Sequence, residues 1–434
     1  MVDCNVAVGI RIGTNYTTYA WNRRSIEDPA FVSAQWTDST KSLLFLETPT
    51  IALFGSDKKL QAFGFEAEKE IQEKTNNHLL VFREFIQDLF CNGIQVPSHL
   101  TAENGVLVLS SDIMTQVIAF LLRKLPIEPS KIVFTVPSAA TKDTYNFFKK
   151  SARKAGLEKV YIIPEATSVL YYCKEYHRLY KTTSSKEVDV FAGGKQSIVL
   201  ECEDDNVSIS VLEVRDGVIK IVYNSFSNVL AACQVQNDFE AMIIEIVGES
   251  VFDDFYRNNR LEYFEIVNEL RRKMTVDIKE EKPLNINIPP SLITAFEKTT
   301  GKTLNEALQQ TIFSDKMSFN HGKCRIMPEI FHNLFKEAGA NIVQLLNKAM
   351  ADSGLSKTGS IILVGFFSRS TILQDMIKKS FPTCHVIVPE DSNMVVVKGA
   401  AIYGQKPVKI QKHPEVKVDL NKFEIKPPGM FPWT

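Results

Sequence analysis

Apolar residues alternate with small or polar ones from Val6 to Ile12, break at Gly13-Thr14-Asn15 and resume with Tyr16, Tyr19 and Trp21. Period two on both sides of a glycine predicts a β-hairpin with a short turn. Amides in such a turn can point outward and glycine admits close approach, so the stretch reads as a phosphate cradle or as a plain hairpin. Short strands follow at Thr50–Phe54 and Leu60–Phe63 around Gly55-Ser56-Asp57, then a charged helix over Glu66–Lys74.

Ser110 or Ser111 is placed to cap a helix through Ile113, Val117, Ile118, Leu121 and Leu122. Ile132–Val136 predicts a strand ended by Pro137, with Ser138 as cap of a helix running to Ala155 and stopping at Gly156. Tyr161–Ile163 is a further strand, and Pro164 opens a helix with Ala166, Val169 and Leu170 inward. Strand, helix, strand, helix predicts helices packed on a sheet. Lys181–Lys186 is polar and aperiodic, the best linker candidate. Strands Val188–Ala192, Ser197–Cys202, Val207–Val214 and Val218–Ser225 follow, with turns at Gly193-Gly194, Asp204-Asp205-Asn206 and Asp216-Gly217. The second half thus echoes the plan of the first, a weak sign of duplication.

Helices then dominate: Asp238–Ile246, Val251–Asn258, Glu262–Lys273, Ser291–Lys298, Leu304–Thr311 and one long helix from Met327-Pro328 to about Met350. Between and after them lie strands Leu284–Ile288, Ile361–Val364 running into Gly365, and His385–Val388, with a helix from Ser370 and a last one over Asn393–Ile402. The expected division is a first lobe 1–185, a second lobe 186–404 and an extended tail 405–434.

The chain has 434 residues, enough for two cores, and its 44% hydrophobic and 23% charged residues predict folded structure. A net charge of −1 argues against a globally basic nucleic-acid binder. Seven scattered cysteines form no C-x-x-C pair, which fits a reducing compartment and gives no zinc signature. The start lacks a basic-then-apolar leader and no apolar run would span a bilayer, so the expectation is a cytoplasmic protein without membrane or nucleic-acid partners. The histidines show no H-E-x-x-H spacing and there is no G-x-S-x-G elbow. The run Lys279-Glu280-Glu281-Lys282 cancels in charge and reads as a surface turn.

Five segments in order resemble a known family. FTVPSAATKDTYNFFKKSARKAGL (Phe134–Leu157), PEATSVLYY (Pro164–Tyr172), PLNINIPPSLI (Pro283–Ile293), ILVGFFSRSTILQ (Ile362–Gln374) and VIVPEDSNMVVVKGAAIYG (Val386–Gly404) are similar to the ATPase domain of the seventy-kilodalton heat-shock chaperones. The similarity is to their divergent branch, the heat shock 70 kDa protein 12A/12B-like proteins, and runs from about Val6 to Gly404. It implies an α/β, two-lobed, actin-like ATPase (ribonuclease H-like) fold, mixed sheets with flanking helices, and ATP or ADP in a cleft between lobes. It also implies that Gly13, Thr14 and Asn15 form the first phosphate turn and Gly193-Gly194 the second, and that Gly365 lies on the adenosine side. Glu269, Arg272 and Lys273 would bracket the adenosine, and Arg369 would stack on the adenine. By themselves such charges read as a solvated helix face.

The sequence departs from that pattern where a metal would be held. Arg11 stands where the family has an aspartate. Glu68 stands where it has a lysine, with Lys69 adjacent. The glutamate before the proline of its Glu-Pro motif becomes Ile163 unless the register shifts to Glu165. The second loop reads Val190 to Ser197 without either aspartate, although Asp189 lies just upstream, and the glycine pair before the helix at Asp238 is replaced by Ala231-Ala232-Cys233. Phosphoryl transfer needs magnesium and magnesium needs oxygen ligands, so these changes argue against both magnesium and hydrolysis. If Arg11 and Lys195 face the cleft, they would neutralise phosphates without metal; the plainer alternative turns both to solvent.

The expected function is therefore a divergent heat-shock-type protein with degenerate motifs, a nucleotide-sensing or nucleotide-free scaffold for protein partners. The rival is a slow Mg-ATP hydrolase that recruits Asp189 or Glu165, and a sugar kinase is disfavoured because no aspartate base can be placed. The 30 residues after Gly404 are too few for a peptide-clamping domain, so direct peptide gripping is not expected.

Overall fold

The structure is a computed structural model, and it describes the chain except residues 1–5, 23–30, 38–43, 74–77, 84, 91–95, 139, 177–178, 182–186, 190, 205, 228–230, 277–281, 356–358, 408–409, 412–416 and 419–434. It is a mixed α/β protein with several sheets. The opening alternation makes the predicted hairpin: strand Ala7–Ile12 pairs antiparallel with Tyr16–Asn22, from Ala7 opposite Asn22 to Ile12 opposite Thr17. Lys131–Val136 joins Ala7–Ile12 in parallel, and Tyr161–Pro164 joins Lys131–Val136. Phe31–Ser33 and Thr48–Pro49 both pair with Tyr16–Asn22, completing six strands.

Period two sorts this sheet into two faces. Val8, Ile10, Ile12, Phe134 and Val136 enter one large core beneath helices Ser110–Lys124 and Lys142–Lys154. The other face carries Ala7, Gly9 and Arg11, with Val133 and Thr135 beside Gly9 and Arg11. Small residues there let the last helix, Val395–Gln405, lie directly on the strands: Met394 and Val397 pack on Ala20, and Ala400 packs on Val133 and Ile163. A Cβ at Gly9 would overlap the Val397 carbonyl oxygen, and one at Gly399 the Ser168 carbonyl oxygen on helix Glu165–Tyr176. Glycine is needed at both because backbone meets backbone.

A second large sheet has the order His385–Ile387, Ser360–Val364, Gln196–Cys202, Val207–Arg215, Val218–Ser227, Ile410–Gln411, with Lys417–Val418 also on Val218–Ser227. Asp216 and Gly217, at φ +50° and +73°, make the tight turn between two of its strands. Leu284–Asn287, Lys323–Ile326 and Met317–Asn320 form a three-stranded sheet. By contacts the chain falls into two compact units, Met1–Val199 with Ser210–Phe226 and Pro389–Val418, and Leu200–Ile209 with Ser227–Val388 and Asp419–Thr434.

Several local expectations change. Ser138 does not cap the helix that follows it: that helix is Lys142–Lys154, capped by Thr141, whose hydroxyl accepts from the Thr144 amide. Ser110 lies inside its helix and donates to the Pro97 carbonyl instead of capping. The stretch read as a linker joins two paired strands, Leu179–Lys181 and Glu187–Asp189, with residues 182–186 themselves outside the described residues. The single helix expected from Met327 is two, Pro328–Asn333 and Lys336–Ser353, separated where the Leu334 and Phe335 amides switch to the tighter i−3 pattern. The hairpin Met317–Ile326 was not expected; its turn has His321 and Gly322 at φ +48° and +71°. Two short stretches of the expected extended tail, Ile410–Gln411 and Lys417–Val418, are strands. Most of the Lys279–Lys282 run lies outside the described residues.

Gly399→Ala forces the last helix away from Ser168 and is expected to cost about 1–3 kcal/mol or more in unfolding free energy, as overpacking of close contacts does. Gly354→Ala, where a Cβ meets nothing within 4 Å but φ is +66°, is expected to cost only the smaller strain of that backbone conformation. Urea denaturation followed by circular dichroism compares the two.

Candidate functional site

The first turn follows from the hairpin register. Gly13 donates to the Tyr16 carbonyl at 3.0 Å, and the Asn15 carbonyl accepts from Thr50 at 2.8 Å. Gly13 is buried, Thr14 and Asn15 half-buried. Arg11 leaves the strand beside this turn, and a Cβ on Gly13 would sit 3.4 Å from its Cζ. Its guanidinium forks onto Glu165, Nε to Oε1 at 3.0 Å and Nη2 to Oε2 at 3.1 Å. The Arg11 side chain is 16% exposed and that of Glu165 7%. Glu165 is the first residue of its helix, straight after Pro164, where an acid suits the positive helix end. The next amide, Ala166, is met by the Ser138 hydroxyl at 2.9 Å, which is what Ser138 does instead of capping its own helix. Two parallel charge-assisted bonds on a buried carboxylate form a rigid clamp.

The amides of the second turn are taken up by carbonyls of the chain. Gly193, Gly194 and Lys195 are exposed, and Gly194 has φ +83°. The Gly194 amide donates to Val214 at 2.8 Å and the Lys195 amide to Ala192 at 3.1 Å. The Lys195 ammonium folds back onto the Asp189 carbonyl at 2.8 Å. Asp189 Oδ1 accepts from the Phe191 amide at 3.0 Å. Glu68 is half-buried, and that burial raises its pKa.

In the other unit the helix Arg260–Met274 carries the acid and bases singled out by spacing. Glu269 accepts from the Asn287 amide at 2.9 Å, Arg272 is exposed and Lys273 half-buried. The inward base is Arg271, which spacing passed over. It grips Asp204 with Nη1–Oδ1 at 2.7 Å and Nη2–Oδ2 at 2.9 Å, and its Cζ lies 4.3 Å from the Phe366 ring centre. The Asp204 carbonyl in turn accepts from the Cys233 amide at 2.8 Å, at the start of helix Ala232–Val247. A signal for Arg271 existed in the neighbouring sequence: Leu270 and Met274 are apolar and buried, which turns the base between them partly inward. Gly365, at φ +90°, passes so close to Cys202 that a Cβ would overlap its carbonyl oxygen. Arg369 ends a short 3-10 turn and is exposed. Among the described residues no group of three or more His, Cys, Asp or Glu is arranged to hold a metal, and no helix is long and apolar enough to cross a membrane.

One carboxyl on helix Ala232–Val247 titrates unusually. Burial pushes Asp238 from 3.8 up to about 6, against a 2.8 Å hydrogen bond from Gln234 and with repulsion from Glu337. A raised acid stabilises the fold fully below its unfolded pKa and loses that contribution as pH rises through the folded one. Stability due to this group therefore falls between pH 4 and 6, and Asp238→Asn is expected to flatten that fall and raise the melting temperature at pH 7. Thermal melts from pH 4 to 7 check it. At the first turn, Arg11→Ala strands a buried carboxylate and is expected to cost about 3–5 kcal/mol, whereas the apolar double change Arg11→Met with Glu165→Leu recovers most of the loss. Denaturant titration of the single and double variants measures both.

No family model matches the chain. It is 22% identical over 480 positions to heat shock 70 kDa protein 12A of Homo sapiens, covering 94% of this chain and 71% of that protein. The same protein of Mus musculus gives the same identity and coverage. Heat shock 70 kDa protein 12B of Homo sapiens is 23% identical over 483 positions, covering 94% of this chain and 70% of that one. Similarity to heat shock 70 kDa proteins 12A and 12B thus runs along almost the whole of this chain and supports a divergent protein of the 12A/12B-like kind.

Proposed function

We propose that the chain keeps the two-lobed actin-like architecture its resemblance implies and acts as an interaction scaffold that senses a nucleotide or does without one, and not as a hydrolase. The observation that carries this is the Arg11–Glu165 clamp: the Glu165 carboxylate, bonded to the arginine beside the first turn, already holds a guanidinium by both oxygens. Magnesium does not fit beside it, because an ion seeking oxygen ligands meets a fixed positive charge. The rival hydrolase needs Glu165 or Asp189, and the carboxylate of Asp189 serves the Phe191 amide. The amides of Gly13 and Lys195, which would face phosphates, are bonded within their own turns, and that of Gly194 to the Val214 carbonyl of a neighbouring strand. ATP or ADP remains the ligand class to test, bound through Lys195, Thr14 and Asn15 with Arg369, Arg272, Lys273, Glu269 and Gly365 on the adenosine side. Protein partners and a cytoplasmic setting belong to the same proposal.

Calorimetric titration with ATP and ADP, each with magnesium and with EDTA, tests it together with a phosphate-release assay. The expected result is no release above the blank, and any binding heat unchanged by EDTA. Magnesium-dependent release that disappears in Glu165→Ala or Asp189→Ala would establish the hydrolase instead.

A further inference from the structure

The sheet face that carries Arg11 places Thr135 directly opposite it on the adjoining strand. Thr135 is 2% exposed and its Oγ1 has no hydrogen-bond partner among the described residues. A buried hydroxyl without a partner is costly, and a ligand that takes its lone pairs relieves that cost. Within the same unit, Glu165, 5% exposed, brings two carboxylate oxygens to the same guanidinium. Side chains directly opposite on paired strands lie about 5 Å apart at Cβ, so the Thr135 side chain starts beside that of the arginine whose guanidinium the carboxylate holds. Hydroxyl and carboxylate oxygens are hard donors, the set taken by magnesium, manganese or calcium, with water completing the shell. The guanidinium supplies the balancing charge and satisfies the carboxylate, while the hydroxyl gains nothing from it.

We infer that the Arg11 guanidinium is a tethered cation occupying an oxygen-lined position of the first unit, and that removing its charge turns this position into a hard divalent-cation site. The positive charge that elsewhere arrives dissolved is here part of the chain, so this unit is indifferent to divalent ions as it stands. The inference rests on the same ion pair as the scaffold reading and deepens it, but needs no nucleotide, so its test uses metal alone and is judged apart from the calorimetry.

Full-length chain is compared with Arg11→Ala, Arg11→Met and the double variant Arg11→Ala with Glu165→Gln, each titrated with manganese(II) under electron paramagnetic resonance and melted with and without magnesium. The expected result is no saturable manganese uptake and no melting shift in the unchanged chain. Both single variants are expected to take up about one ion per chain and to melt higher with metal, and the double variant is expected to lose both effects. Thr135→Val in the Arg11→Ala background should weaken uptake at least tenfold. Where a single variant does not fold alone, it is refolded with manganese, and recovery only in the presence of metal supports the inference. Folded single variants that bind no manganese, unfolded ones that metal fails to recover, or uptake that persists after Glu165→Gln would each overturn it.

Discussion

A carboxylate removed from water must be met by a positive charge and by hydrogen bonds, or it will not stay ionised. Glu165 is in that position, at the junction where a strand of the first sheet ends and a helix begins, and Arg11 meets it with both arms of its fork. The pair ties the end of the first strand to the start of a helix 154 residues later in the chain. Its neighbours follow from it. Gly13 has no side chain where the guanidinium passes, the Ala166 amide is taken by Ser138, and Thr135 lies opposite on the adjoining strand.

The second unit contains a clamp of the same type. Arg271 holds both oxygens of Asp204 and stacks on Phe366, while the Asp204 carbonyl accepts from the Cys233 amide in the first turn of helix Ala232–Val247. A planar guanidinium suits this better than an ammonium, since it binds two oxygens and an aromatic face at once. In each unit, then, a loop that could have presented bare amides or carboxylates to a ligand is instead satisfied by an arginine of the chain.

The sequence was most readable where burial is one-sided. Alternation from Val6 to Trp21 located the hairpin and its turn to the residue, because one face of each strand is forced inward. Gly13, Arg11 and Glu165 all stood out, but their connection did not: no spacing rule relates residues so far apart, and the choice for Arg11 between cleft and solvent left out the fork onto Glu165. Arg271 was passed over for Arg272 because a charge motif counts residues, whereas the helix surface decides which base turns inward. The break at Leu334-Phe335 escaped because both residues are buried and apolar, continuing the helical pattern through a turn that is not α-helical. Ser138 and Ser110 carried cap-like signals, and tertiary partners claimed their hydroxyls.

The last helix lies on the first strand, glycine against backbone, with the chain's whole length between them. A ribosome adds residues in order, so this strand emerges long before the helix that covers it. Until that helix arrives, one side of the sheet stands open to water and to other molecules, with Ala20, Val133 and Ile163 uncovered by it. Closing so distant a contact is entropically slow. The sheet is thereby late to mature, exposed until the strand and the distant helix have met.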